Sequence, residues 1–316
     1  MQRMKPNPPF LGAGAGIAVL AALAALASSA RLDAAEAAGP TAEELLKIAS
    51  AVPAKANATP AKPRRLLVFT LCRCYVHASI PYGARAVELM GERTGAFKAT
   101  ISDDIAWFEP EKLKQFDGIC LVSALGELFL PADFDKLSAD KQAEARQTDT
   151  RLKRVLLEYL RSGGGLAGIH GASYAFYQWP EFGEALGGLF DSHPWNATEK
   201  IAIKIDEPSH PVVAVFQGVG FEIIDEGYQF KDPYSRSRSR VLYSLDPSRT
   251  DMNKQGLRAD RDFGLCWVRR FGQGRVFYTA LGHNSEEFWN PLLLRHILDG
   301  IQFSLGDLAA PAEPRP

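Results

Sequence analysis

Three histidines follow predicted strands directly, where open α/β sheets place their ligand crevice. His77 lies in the loop after the first strand, His170 ends the fourth, and His283 follows the apolar run 276–281. An imidazole near neutral pH suits general acid–base chemistry, proton transfer or metal ligation. A lone histidine is more often structural, but three at converging strand ends favour a functional site.

The segment Gly168–Ala172 has the small residues of a nucleophile elbow, a strand-to-helix turn that exposes its central side chain. Serine or cysteine there would indicate a hydrolase or an amidotransferase, but the central residue is His170. The sequence therefore predicts a general base, a proton shuttle or a metal ligand, and it argues against a glutaminase. A histidine that caps the next helix is disfavoured by the glycines on either side.

Carboxylates accompany the histidines at two places. Glu286 lies three residues after His283, where it could orient the ring or stabilise a helix N-terminus, and the sequence leaves both open. Asp225 and Glu226 are adjacent acids among apolar neighbours, where burial and mutual repulsion raise a carboxyl pKa. We expect one of them to face solvent and Glu226 to be the functional one. The candidate catalytic residues are His170, Glu226, His283 and Glu286.

A further group has the residue types that hold a sugar. His193 lies in a predicted loop, 191–195, and an aromatic ring follows it. Aromatic faces near polar groups hold sugar rings, although core packing explains any single aromatic residue as well. The candidate substrate-binding residues are His77, His193, Trp195 and Tyr228, whereas His210 and His296 are expected to be structural.

The same residues suggest a divalent metal, with zinc as the candidate. Two or three imidazoles and a carboxylate satisfy zinc-type ligation with one open position. The candidate ligands are His170, His193, His283 and Glu226. Since the chain has no closely spaced histidine pair, the fold must bring these residues together.

The elements around these residues predict an α/β protein with a mostly parallel central sheet. Apolar strand-like runs alternate with helical patterns, which is typical of a parallel sheet covered on both faces. The predicted strands are 66–69, 99–101, 118–122 and 166–170, with helices 80–94 and 149–161. Shorter β-like runs after Pro180 predict a partly antiparallel extension at 200–205, 241–245, 265–269 and 276–280, closed by a helix at 291–305.

Composition limits the class of protein and its partners. With 316 residues, 46% of them hydrophobic, the chain can bury the core of one large domain. A net charge of -1 without a clustered basic stripe argues against nucleic acid as a partner. Cys72, Cys74, Cys120 and Cys266 are expected to be free and mostly buried, and the C-x-C pair is only a weak metal signal.

The ends of the chain are predicted to lie outside the folded domain. Arg3 and Lys5 precede an uncharged Ala/Leu/Gly run and small-residue cleavage patterns, so residues 1–37 are expected to be a signal peptide. We therefore expect an exported protein, periplasmic or extracellular, with no stable membrane span after cleavage. Residues 38–63 are predicted to form a short helix and a Pro/Ala linker, and residues 309–316 a disordered tail.

Several ordered motifs together resemble the ThuA-like (trehalose utilisation) family over about residues 64–308. These motifs are Gly163–His170, Asp191–Pro194, His210–Pro211, Asp225–Tyr228 and Gly272–His283. The resemblance implies a class I glutamine amidotransferase-like, flavodoxin-like three-layer sandwich without the usual cysteine. It also implies a link to disaccharide catabolism through 3-keto sugars. Gly171 and Tyr174 replace the alanine and the acidic residue of the family's pattern.

Three functional hypotheses follow. The first is a lyase, hydrolase or isomerase that removes a proton beside the carbonyl of a keto-sugar. His170 and Glu226 would be base and acid in either order, and His283 would polarise the carbonyl. The second adds a divalent metal to the same site. The third is a non-catalytic sugar-binding or scaffold module; the partner is a small carbohydrate in each case, and the oligomeric state is left open.

Overall fold

The computed structural model describes residues 39–315. The predicted signal peptide, residues 1–37, lies outside the described residues. Between residues 39 and 315, none of the helices combines the length and the apolar character needed to cross a bilayer.

A nine-stranded mixed sheet forms the centre of the described chain, in the order β2-β1-β3-β4-β11-β10-β9-β6-β7. The first five of these strands run parallel, and the remaining four are added antiparallel. The described chain has eleven strands, of which all but β5 and β8 belong to this sheet. They are β1 Arg65–Phe69, β2 Lys98–Ser102, β3 Gly118–Val122, β4 Gly165–Ile169, β5 Leu189–Trp195, β6 Lys200–Ile205, β7 Phe221–Ile224, β8 Gly227–Lys231, β9 Arg240–Leu245, β10 Gly264–Phe271 and β11 Gly274–Thr279. The predicted α/β class with an antiparallel extension is confirmed.

The apolar runs of the sequence become the central strands. Every residue of β3 and β4 is buried, as expected for strands that are covered on both faces. Their parallel register places Val122 opposite Ile169, so both strands end at the same edge of the sheet. That edge is where the candidate histidines were predicted to meet.

Six α-helices accompany the strands between residues 39 and 315. They are α1 Ala42–Ala51, α2 Ile80–Thr94, α3 Pro110–Leu113, α4 Ala139–Arg161, α5 Pro180–Leu186 and α6 Pro291–Ser304. Thr41 and Glu44 form the predicted capping box at the start of α1. Helix α4 begins ten residues earlier than predicted. Its first part is polar and its buried residues begin only at Leu152, so the apolar spacing used for the prediction does not mark this part.

A second, two-stranded sheet of β5 and β8 was not predicted. Half-buried and exposed residues alternate between the two buried ends of β5, and its register with β8 is irregular, so no apolar run marks it. His193 therefore lies in a strand, and its predicted loop is wrong. This small sheet carries His193 and Tyr228 to the site.

Both terminal segments pack against the domain. In the linker, Asn57 Nδ2 donates to both carboxylate oxygens of Asp299, at 3.0 and 2.9 Å. In the tail, the carbonyl oxygen of Pro311 lies 2.9 Å from His210 Nε2, and Ala312 is buried. The described part of the tail thus contacts the domain, and the predicted disorder of residues 309–316 stays a prediction.

Candidate functional site

Four side chains from separate segments meet beyond the ends of the parallel strands. His77 comes from the loop after β1, His170 follows β4, His283 follows β11, and Glu226 lies between β7 and β8. One nitrogen or oxygen atom of each side chain lies within 4.8 Å of those of the other three. We call these four residues the His/Glu cluster, and they could hold a metal ion.

Glu226 lies at the centre of the cluster. Its Oε2 is 3.1 Å from His283 Nδ1 and 3.5 Å from His170 Nε2, and its Oε1 is 3.7 Å from His193 Nδ1. On the other side, the Nε2 atoms of His77 and His170 are 3.2 Å apart. Among the described residues, His77 therefore takes the place of His193 in the candidate set of metal ligands. His193 lies at the margin of the cluster.

The backbone and a carbonyl fix the orientation of His170. The residue has φ 50°, the left-handed conformation of a strained turn, and it begins a short 3-10 helix that ends at Tyr174. Its Nδ1 lies 2.7 Å from the carbonyl oxygen of Ala280, which can only accept a hydrogen bond. The neutral ring therefore carries its proton on Nδ1 and directs the lone pair of Nε2 into the cluster. Tyr228 Oη, at 2.9 Å, donates to that lone pair.

Asp225 joins the two loops that carry Glu226 and His283. Its Oδ1 accepts a hydrogen bond from the Glu226 N–H at 2.8 Å, and its Oδ2 accepts one from the Gly282 N–H at 3.0 Å. Gly282 has φ 137°, a conformation that side chains disfavour. Asp225 is 0% and Glu226 8% exposed, so the expectation that one of the acids faces solvent is wrong.

Charge is distributed unequally over the cluster. Burial and the neighbouring imidazoles lower the pKa of His77 to about 2, so this ring is neutral. Burial alone would raise the pKa of Glu226, but its contacts with the His170 and His283 imidazoles hold it well below its usual range. Burial likewise opposes a charge on His283, yet the Glu226 carboxylate raises its pKa. The result is an ionised carboxylate among imidazoles, a set of donors suited to a cation.

A cavity of about 460 Å³ opens above the cluster. It is lined by Cys74, Tyr75, His77, Leu125, Tyr174, Phe190, His193, Glu226 and Tyr228. Tyr174, Phe190 and Tyr228 give it an aromatic wall, in which Phe190 packs edge-on against both tyrosines. Such a wall beside polar groups suits a sugar ring.

Two predicted site residues lie elsewhere. Trp195 is fully buried against Phe263, and its indole N–H donates to the carbonyl oxygen of Asp251 at 2.7 Å, so its predicted place at a sugar ring is wrong. Glu286 is exposed and lines a different groove, with Asn290. A 3-10 helix starts at Ser285, directly after the His283 loop, and Glu226 is the carboxylate that contacts His283.

Sequence reasoning also missed residues of the site. Phe190 lies on the unpredicted strand β5, and Leu125 follows β3, a strand end that could have drawn attention to it. Glu287 is buried beside Asp225, and this burial, together with the Asp225 charge, raises its pKa well above the usual range. It is therefore a neutral acid beside Asp225, although nothing in the sequence distinguished it from Glu286.

The departures from the family pattern have visible places in this structure. At Gly171 a Cβ atom would lie 2.4 Å from Leu125 Cδ1, so glycine leaves room for a side chain that lines the cavity. Tyr174 lies in the cavity wall, stacked on Tyr177 with ring centroids 4.2 Å apart. Both departures therefore alter the shape of the cavity and leave the His/Glu cluster intact.

Comparisons with known proteins agree with this architecture. A crystal structure described as ThuA-like from Bacteroides uniformis ATCC 8492 has a TM-score of 0.57 and 21% identity, covering 78% of this chain and 94% of that one. Another, from Parabacteroides merdae ATCC 43184, has a TM-score of 0.52 and 19% identity, covering 80% and 98%. At these identities the likeness shows the fold alone.

A comparison with curated proteins gives no match. The family model ThuA, described as trehalose utilisation, matches residues 65–304, and the chain therefore belongs to the ThuA family.

Proposed function

We propose that this protein is a metal-assisted enzyme that acts on a keto-sugar or a related disaccharide derivative. His77, His170, His283 and Glu226 would hold a divalent cation such as zinc. The observation that carries the proposal is the convergence of their four donor atoms within 4.8 Å, next to a cavity that His77 and Glu226 line. Membership of a trehalose-utilisation family supports the substrate class.

The spacing and protonation of the donors support zinc. Bonds of about 2.0–2.1 Å in a tetrahedral site place neighbouring donors about 3.3 Å apart. Three donor pairs of the cluster are separated by 3.1, 3.2 and 3.5 Å. Glu226 is ionised, His77 is neutral, and the lone pair of His170 Nε2 points inward, whereas the raised pKa of His283 opposes cation binding.

The residues around the cluster have separate tasks in this proposal. A bound cation would polarise a substrate carbonyl or lower the pKa of water. His193, whose side chain is 42% exposed, lies on the cavity wall, where it can exchange a proton with a C–H beside a carbonyl. Tyr228 donates its hydroxyl proton to His170 Nε2 in the metal-free protein, and a cation on that nitrogen would free the proton for a substrate oxygen. The aromatic wall of Tyr174 and Phe190 would orient the sugar ring and exclude water.

Metal binding and turnover test the proposal together. Purified chain treated with a chelator should bind about one equivalent of Zn²⁺ by calorimetry and elemental analysis, and should convert 3-keto-trehalose only when loaded. Glu226→Gln should abolish both properties, whereas the matched variant Glu286→Gln, exposed and outside the cavity, should preserve them. Absence of turnover with and without metal would contradict the enzymatic proposal.

We also propose that this activity takes place outside the cytoplasm, in the periplasm or beyond. The predicted signal peptide at residues 1–37 supports this location. Fractionation of cells that express the full chain, with N-terminal sequencing of the mature protein, tests it; recovery of uncleaved protein in the cytoplasm would contradict it.

A non-catalytic sugar-binding module is the second candidate. It is favoured by Tyr174, an aromatic residue in the cavity wall where the family's pattern has an acid. His170→Ala separates the two functions, because a binding module would keep most of its sugar affinity whereas an enzyme would lose turnover.

A further inference from the structure

We propose that Cys72 and Cys74 form a dithiol site at the mouth of the cavity, which low-molecular-weight disulfides such as oxidised glutathione convert to an internal disulfide. Cys74 is exposed and lines the cavity, and Cys72 is half-buried behind it. Both thiols are free. The proposal concerns residues that the His/Glu cluster does not use.

The backbone brings the two thiols together. Cys72 is held by a single parallel bridge to Leu125, and the Arg73 N–H donates to the Leu125 carbonyl oxygen at 2.8 Å. The chain then bends at Arg73 and Cys74. Residues two apart are separated by at most about 7 Å even in extended chain, and a bend shortens this to the Cα separation of about 4.4–6.8 Å that disulfides adopt.

The pair has the asymmetry of a reactive dithiol. The neighbouring Cys72 thiol lowers the pKa of Cys74 to about 7 against the opposing effect of burial. The proximity of Cys74, followed by burial, raises the pKa of Cys72 well above its usual range. Cys74 is therefore the exposed thiolate that attacks first. Cys120 and Cys266 are fully buried in the core and serve as internal controls.

The oxidation proceeds in two exchange steps. The Cys74 thiolate attacks one sulfur of the oxidant, forming a mixed disulfide and releasing one thiolate. This capture removes the Cys74 thiolate, which was the largest cause of the raised Cys72 pKa. Cys72 then loses its proton and attacks Cys74 Sγ, which forms the internal disulfide and releases the second thiol. The two cysteines lose two electrons and two protons, and the oxidant is reduced to two thiols.

Oxidation would reach the cavity through Tyr75. The Cys72 thiol donates to the Tyr75 carbonyl oxygen at 2.9 Å, a bond that a disulfide cannot make. The Tyr75 ring, 61% exposed, packs edge-on against His77 with centroids 4.8 Å apart. The dithiol thus lies where its redox state sets the position of the ring at the cavity mouth.

Peptide mapping tests the site directly, because Arg73 separates the two cysteines. Full-length protein is incubated with oxidised glutathione, its remaining thiols are blocked, and it is denatured and digested with trypsin. We expect peptides 66–73 and 74–85 to stay joined, at the summed mass less two hydrogen atoms, and to separate on reduction. Cys120 and Cys266 should carry the blocking group. Recovery of both peptides unlinked, or of Cys74 as a lasting mixed disulfide, would overturn the proposal.

Single variants identify the order of attack. Cys72→Ala should stop at the mixed disulfide on Cys74, whereas Cys74→Ala should leave Cys72 largely unmodified. Alkylation of Cys74 in the unaltered protein should accelerate about tenfold between pH 6 and pH 8, and at pH 7 it should be about tenfold slower in Cys72→Ala. Equal reactivity of the two thiols would contradict the assignment. No readout here requires a metal or a sugar, so these results are independent of the proposed function.

Discussion

Buried histidines occur in two regions of this molecule, and the partners of their ring nitrogens differ. In the structural pair, His296 Nδ1 lies 2.8 Å from the Val212 carbonyl oxygen and its Nε2 3.7 Å from Cys266 Sγ. His210 likewise uses one nitrogen for the Pro311 carbonyl oxygen and the other for the Val212 N–H. Both nitrogens of each ring are therefore occupied by neighbours in the fold, and none is left for a ligand.

In the His/Glu cluster, by contrast, the nitrogens face other side chains. His170 gives only Nδ1 to the backbone, and His77 and His283 direct a nitrogen toward the same small volume around Glu226. Burial lowers the pKa of His77 to about 2 and that of His296 to about 4, so burial and neutrality do not distinguish the two regions. The presence of a carboxylate among inward-facing ring nitrogens does.

The largest expected effect is on metal affinity. His170→Asn removes the imidazole but keeps a residue type that tolerates φ 50°. Because a ligand is lost, we expect zinc affinity to fall by more than about 100-fold, since even the loss of an outer partner costs about 10–100-fold. His296→Ala, measured by calorimetry under conditions where it is folded, should bind zinc as the unaltered protein does. Equal loss in both variants would erase the comparison.

The order of the two variants should be reversed for stability, with His296→Ala costing more than His170→Asn. His296→Ala leaves a cavity and an unpaired Val212 carbonyl in the core, and it should lower the free energy of unfolding by about 2–4 kcal/mol. His170→Asn should cost less, because it removes a left-handed histidine next to other imidazoles. Urea unfolding of the metal-free proteins measures both values; a larger cost at His170 would make that residue structural as well.

The sequence predicted the strands and the meeting of the histidines in the His/Glu cluster, because both depend on local pattern. Apolar runs placed β1, β3 and β4, and the rule that parallel strands end at one edge brought His77 and His170 together. His283 followed from the same reasoning at the end of β11. Ordered family motifs then identified the fold.

What failed depends on contacts between distant segments. The carboxylate beside His283 is Glu226 and not Glu286, because Asp225 ties the two loops together through backbone N–H groups that no local pattern reveals. Trp195 was misplaced because β5 pairs irregularly with β8, which turns the ring into the core. Periodicity cannot predict an irregular register.

A smaller effect separates the two buried acids next to Asp225. Glu287 keeps in the folded protein a proton that the unfolded chain releases above its ordinary pKa of 4.5, so this residue makes stability fall as pH rises. The slope is at most about 1.4 kcal/mol per pH unit. Glu226 has the opposite sign, because its lowered pKa contributes stability near neutral pH that is lost as the pH falls below about 4.5.

Glu287→Gln tests this assignment, since an amide can donate to Asp225 at every pH. Its stability relative to the unaltered protein should increase between about pH 5 and pH 8, as followed by urea unfolding. A difference that stays constant over this range would show that Glu287 is ionised in the fold. Glu286→Gln, on the exposed neighbour, is the matched control and should show no change of slope.

The smallest expected effect is a gain. Tyr228 Oη donates to the Nε2 lone pair of His170, the atom that a cation would use, so metal binding must break this hydrogen bond. Tyr228→Phe removes the competing donor and keeps the ring packing against Phe190. A net bond of about 1 kcal/mol corresponds to about fivefold tighter zinc binding in the variant.

Competition with a chromogenic chelator measures this, with Tyr174→Phe, also in the cavity wall, as the control that should bind zinc unchanged. If Tyr228→Phe instead weakened zinc binding tenfold or more, the hydroxyl would be supporting the metal, and His170 would have to bind the cation in a different orientation from the one that Ala280 fixes.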